Sequence, residues 1–300
     1  MFKPHTQVKA VIVLVCFFAC VCVCAALLAP LFWHGGQWLL AHGHVAWLAP
    51  FPFFRYFNRA LLITACVALV CVRKHVWSGH MRALWHRPFF SEMVQAVLGM
   101  VLAYAGLWSV HAGLVVLGWL KEVREPYPWL GVCVGAVAVA CVEEVLFRGV
   151  LLGWLLKKTP REGALWIAAC VFACVHFLGP SRHVGDVGVF SGFGVLAGLF
   201  ERFMRVDVST YTAFATLCVL GYVLGKAVCV QKHFWGAVGL HAGWVVAFKR
   251  VSSSTALVHA PDVWLGASLL EGLVPAALVG CTGLFFVYFC KRFAWGSKKT

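Results

Sequence analysis

Five side chains in the middle and second half of the chain could do chemistry together: Glu143, Glu144, Arg148, His176 and His241. Three sit in "VEEVLFRGVL" (142–151), an apolar run in a chain of 300 residues with only 11 acids. On a helix Glu144 and Arg148 stand four apart with the acid first, the favourable order for an ion pair. Glu143 is turned from Glu144 by about 100°, away from Arg148. A structural ion-pair network needs one acid per base, so the second carboxylate is surplus. A surplus carboxylate in an apolar helix is a candidate general base. His176 ("FACVHF") and His241 ("GAVGLHAGW") lie in two other apolar stretches. Taken singly, each histidine also reads as an interhelical hydrogen bond. Beside a carboxylate, a buried histidine can orient a water, donate to a developing oxyanion or bind a metal.

These groups need an apolar frame, and the composition supplies it. The chain is 62% hydrophobic and 12% charged, with a mean hydropathy of +0.87. Soluble domains carry about 25% charged residues. Apolar runs near the length of a membrane span recur from end to end. An ionisable group inside a span costs about 2.5–3.5 kcal/mol even on the lenient insertion scale, which makes the five residues informative. Glu271 is a further acid in an apolar run, read as a structural partner.

The net charge of +14 does not indicate nucleic acid. Its cations fall between apolar runs, at Arg73, Lys74, Arg82, Arg87, then Lys157, Lys158, Arg161, then Lys249, Arg250, Lys291 and Arg292. That is the pattern of positive-inside loops. The 14 cysteines contain no CxxC pair and read as small apolar residues rather than a zinc or disulfide framework.

The expected fold class is therefore all-α, a polytopic transmembrane bundle of about eight spans. They are placed near 8–32 (a retained signal-anchor), 59–72, 93–119, 129–156, 163–178, 208–230, 232–250 and 263–290. The Gly-rich segment 187–200 is read as re-entrant, and "KEVREPYP" (121–128) as a polar turn whose prolines stop and restart helices. The chain divides into N-terminal helices and loops (1–128), a catalytic core (129–250), and a C-terminal helix with a basic tail (251–300).

In order along the chain, EExxxR (Glu143–Arg148), FxxxH (Phe172–His176) and His241 on a later apolar helix resemble the CAAX-protease and bacteriocin-processing family of intramembrane endopeptidases. That family includes type II CAAX prenyl endopeptidases and lysostaphin-resistance-like proteins. The resemblance covers roughly residues 129–250. It implies that Glu143 and His176 activate a water. Glu144 with Arg148 would fix the site, and His241 would stabilise the oxyanion. If members use a metal, Glu143, His176 and His241 supply a two-histidine, one-carboxylate zinc set. One departure stands out. The family's last motif carries a polar residue, usually Asn, four after the histidine, and this chain has Val245. The Trp244 indole N–H is a neighbouring donor.

The implied function is an intramembrane endopeptidase acting by glutamate-activated water on a membrane-embedded or membrane-associated peptide, prenylated or not. Its partners are that substrate and the bilayer, with no nucleic acid. It would be a multi-pass integral membrane protein, in the plasma (inner) membrane if bacterial. Two alternatives follow from the same residues. Val245 suggests a weak or inactive member acting as a membrane scaffold. The carboxylates could instead serve a proton- or ion-coupled transporter.

Overall fold

Within a bilayer each segment must satisfy its own backbone hydrogen bonds, so apolar runs become helices. The computed structural model bears this out. It describes residues 4–44, 51–76, 89–177, 187–204, 208–258, 263–265 and 272–292. Arg82, Arg87 and Glu271 lie outside the described residues.

The helices are α1 (Pro4–Ala41), α2 (Phe53–Val76), α3 (Phe89–Val116), α4 (Trp129–Leu155), α5 (Arg161–His176), α6 (Ser191–Met204), α7 (Val208–Gln231), α8 (Trp235–Ser254) and α9 (Leu273–Arg292). Among the described residues five are long and apolar enough to cross a membrane: α3, α4, α7, α9 and the stretch Ile12–Ala41 of α1. The protein is an all-α polytopic integral membrane protein. The segment expected to be re-entrant forms α6, whose 14 residues rise only about 21 Å against a hydrocarbon core of about 30 Å.

The chain forms two compact units, 1–76 with 174–206, and 77–173 with 207–300. In the first, Ala25, Ala26 and Ala29 of α1 pack against Phe57 and Ala60 of α2 and Val195 of α6. Small residues allow the approach: a Cβ on Gly192 would strike the backbone of Ala26.

In the second unit, α7 and α8 are buried on nearly every face, as central helices of a bundle should be. Residues Lys232–Phe234 join them, and Lys232 takes a left-handed backbone conformation (φ 59°). The outer helices meet them along glycine seams. A Cβ on Gly239 would strike the Ala96 carbonyl of α3, and one on Gly243 the Met100 carbonyl. A Cβ on Gly99 would come within 2.9 Å of the Gly236 carbonyl. Gly221 and Gly225 of α7 approach Ala169 and Leu165 of α5 in the same way. Such small-xxx-small spacing lets membrane helices come close enough to gain packing that lipid does not offer. At the surface, the Glu162 carboxylate of α5 accepts from Tyr222 (2.8 Å) and Lys226 (3.1 Å) of α7.

The sequence did not reveal a two-stranded antiparallel ribbon. Leu120–Glu122 (β1), within the expected turn, pairs with Thr255–Leu257 (β2), within the expected linker after 250. The ribbon ties the chain just after α3 to the chain just after α8.

Gly239→Val tests the seam. It is expected to destabilise the protein by about 2 kcal/mol or more, the usual cost of overpacking, read as a lower melting temperature in detergent. Gly131→Ala, where an added Cβ meets nothing within 4 Å, should change stability by no more than about 0.5 kcal/mol.

Candidate active site

Glycines on one side of α8 set the opposite side for His241. His241 is two residues from both Gly239 and Gly243, about 200° around the helix from each. It points away from the α3 seam and is 3% exposed. It also lies between two cations of the same segment: exposed Lys232 precedes it by nine residues and buried Arg250 follows by nine. At helical rise that is about 13 Å either way, so the site sits deep between the two ends of the helix.

The imidazole meets both adjacent acids of α4, one at each ring nitrogen. Nδ1 is 2.9 Å from Glu144 Oε1, and Nε2 is 3.7 Å from Glu143 Oε2. A carboxylate only accepts, so Nδ1–H donates to Glu144. This fixes the ring's orientation and leaves Nε2 towards Glu143. A separation of 3.7 Å is too long for a direct hydrogen bond and is short enough for one water to contact both groups.

Glu144 is fully buried. Its Oε1 also faces Arg148 Nη1 at 3.1 Å, as an ion pair not aligned as a hydrogen bond. Arg148 is buried too, and the rest of its fork is used. Nη2 donates to the Gly221 carbonyl of α7 (3.2 Å). The guanidinium lies over the Phe172 ring of α5, 4.5 Å from its centroid, and 5.9 Å from that of Phe147. Phe172 packs edge-on against both Phe147 and His241. Taking these charges out of water is costly, and close pairing with additional hydrogen bonds offsets that cost.

The backbone changes just after the acids. Residues Val145–Leu152 are wound as a π-helix, a form common at functional sites. It holds Arg148 four residues after Glu144 and against α7. Glu143 is the more open acid, its side chain 23% exposed against 4% for His241 and none for Glu144. The Oε2 of Glu143, the atom towards the ring, is itself buried.

The structure thus gathers Glu143, Glu144, Arg148 and His241. The fifth expected residue, His176, ends α5 where the chain passes into the first unit. Its partnership with Glu143 belongs to the functional proposal rather than to this geometry. Sequence reasoning missed Gly221, whose spacing from Gly225 was the available signal, and it assigned Glu144 to Arg148 alone. Val245 is half-buried one turn after His241, and the buried Trp244 indole N–H has no acceptor among the described residues. No group of three His, Cys, Asp or Glu side chains able to hold a metal ion is found among the described residues.

The family model described as type II CAAX prenyl endopeptidase Rce1-like matches residues 125–247. Over these residues, somewhat under half of the chain, the protein is similar to the Rce1-like family. The matched stretch carries all five expected residues and all of α4 and α5. No curated protein and no solved structure matches the chain.

In this Rce1-like core, Arg148→Met removes one partner of a buried pair and should destabilise the protein by about 3–5 kcal/mol. The double variant Glu144→Gln/Arg148→Met should recover part of that loss, because no bare charge is left inside. Denaturation in detergent measures both.

Proposed function

We propose that the protein is an intramembrane endopeptidase that hydrolyses a peptide bond of a membrane-associated substrate with a water activated by Glu143. The observation that carries this reading is the Glu143–His241–Glu144 arrangement, with its 3.7 Å gap at Nε2. The family match agrees with it at the level of reaction class.

In this mechanism Glu143 takes a proton from water, and the hydroxide adds to the scissile carbonyl carbon. The carbonyl π electrons move to oxygen, giving a tetrahedral oxyanion. His241, as the imidazolium, donates Nδ1–H to Glu144 and Nε2–H to that oxyanion. The oxyanion then re-forms the carbonyl, the C–N bond breaks, and Glu143 returns its proton to the leaving nitrogen. Arg148 touches no substrate here and holds Glu144 in place. His176 follows Phe172 by four residues and so continues the same face of α5 one turn further. The resemblance assigns it to water activation together with Glu143. The zinc set that the resemblance implies, Glu143, His176 and His241, is not among metal-holding groups of the described residues, and metal analysis of the purified protein decides that point. Whether the substrate is prenylated is left to the substrate panel.

A second reading has one observation behind it. Val245 supplies no hydrogen bond where the resemblance calls for a polar donor, so the chain could be a weak member that binds peptides without cleaving them. The two readings separate on a panel of membrane peptides with and without a prenyl group. Under the leading one, Glu143→Gln should lower kcat by about 10²–10⁴, the range of general-base catalysis. His241→Ala should lower it by about 10²–10³, as for loss of an oxyanion donor, and His176→Ala should lower it as well. Val245→Asn should raise kcat, by up to about 10². No cleavage by either the wild type or Val245→Asn, with peptide binding that survives Glu143→Gln, would sink the protease reading.

A further inference from the structure

Arg250, near the C-terminal end of α8, is a second buried guanidinium that the site above does not use. The residue is 8% exposed. Its Nη1 donates to the Tyr127 carbonyl (2.7 Å), and the guanidinium lies 3.8 Å over the Trp129 ring. The Tyr104 hydroxyl is also within hydrogen-bonding reach. Arg148 has Glu144, but Arg250 has no carboxylate within ion-pair distance among the described residues. Glu122 and Glu125 shortly precede its partner Tyr127, yet both are exposed and neither pairs with it. Its Nε–H has no acceptor. A desolvated cation held only by neutral partners lacks the counter-charge that burial demands.

The level of this cation along the helices says where that counter-charge comes from. Trp129 is the first residue of the apolar span of α4, and the span of α3 ends at Val116 on the same side of the bundle. The strand tied to β2 follows α3, and β2 directly follows α8. Arg250 therefore lies near the ends of α4 and α8, and Tyr104 approaches it from within the span of α3. It is about 13 Å along α8 from His241. That is close to half the thickness of a hydrocarbon core. Tyr104, Tyr127 and Trp129 lie against it, with Tyr104 stacked on Trp108 and tilted against Trp129. Amphipathic rings at span ends mark the headgroup level of a bilayer. Trp129 and Tyr127 are about half exposed, at 49% and 58%, so the seat opens to the surroundings. Lys249 lies beside it along α4, near Gly135.

The geometry points to a lipid site: Arg250, with Tyr104 and Trp129, seats the phosphate of an anionic glycerophospholipid at this end of the bundle. The guanidinium supplies N–H donors beyond the one held by the Tyr127 carbonyl, Tyr104 adds a hydroxyl, and Lys249 favours a headgroup of net negative charge. The seat is separate from the proteolytic site and does not depend on that reading.

The test compares the full-length protein in nanodiscs of phosphatidylglycerol and of phosphatidylcholine. It reads melting temperature, together with lipid retained through delipidation by native mass spectrometry. The wild type is expected to melt about 5 °C higher in phosphatidylglycerol and to retain that lipid selectively. Arg250→Gln should lose the difference and retain about tenfold less, the scale of a lost charged hydrogen bond. If Arg250→Gln does not fold, Arg250→Lys replaces it. The lysine lacks the planar fork, so retention should fall at least threefold. The proposal is overturned if Arg250→Gln lowers the melting temperature equally in both lipids and keeps the wild-type difference between them. That would make Arg250 a clamp on Tyr127 only. It is also overturned if Arg250→Lys retains phosphatidylglycerol as the wild type does, or if inorganic phosphate in detergent gives the same protection as the lipid.

Discussion

One carboxylate oxygen organises the centre of this protein. Oε1 of Glu144 receives the Nδ1–H of His241 and faces Nη1 of Arg148, in a place that water does not reach. Arg148 in turn binds the Gly221 carbonyl and lies over Phe172. Four helices thus converge on one ionised group: α4 carries it, α8 brings the imidazole, and α7 and α5 hold the guanidinium. In hydrocarbon a charge without partners is very unfavourable, so these helices have little freedom to separate while Glu144 stays ionised.

The two adjacent acids divide the labour because they reach the same ring from different sides. Glu144 is enclosed and holds Nδ1, which turns Nε2 outward. Glu143 is nearer the opening and faces Nε2. A ring fixed at one nitrogen and faced by a second carboxylate at the other has little freedom to reorient. The π-helical turn after the acids sets where Arg148 falls relative to α7.

Much of this was legible in the sequence, for specific reasons. Long apolar runs of spanning length fixed the helical class, and the positions of most helices followed within a few residues. The Glu144–Arg148 pair was legible because four residues make one turn. What was not legible depended on which helices are neighbours. Nothing local to Glu144 says that His241, 97 residues later, shares its oxygen. Nothing near Arg148 points to the Gly221 carbonyl. The ribbon of Leu120–Glu122 with Thr255–Leu257 escaped notice because each strand has three residues, too few to show an alternating pattern.

Along α8 two kinds of constraint alternate within single turns of one helix. Gly239 and Gly243 face backbone atoms so close that any added atom collides, whatever its polarity. At His241 the volume could be met by other side chains, and what matters is the position of its two nitrogens. Substitutions on the first set should therefore rank by size alone, serine faring no better than alanine. Those on the second should rank by hydrogen-bonding pattern, with glutamine nearer to tolerated than a leucine of similar bulk. A map of every substitution along this helix would show two periodic signals, offset by about half a turn, one counting atoms and the other counting charges.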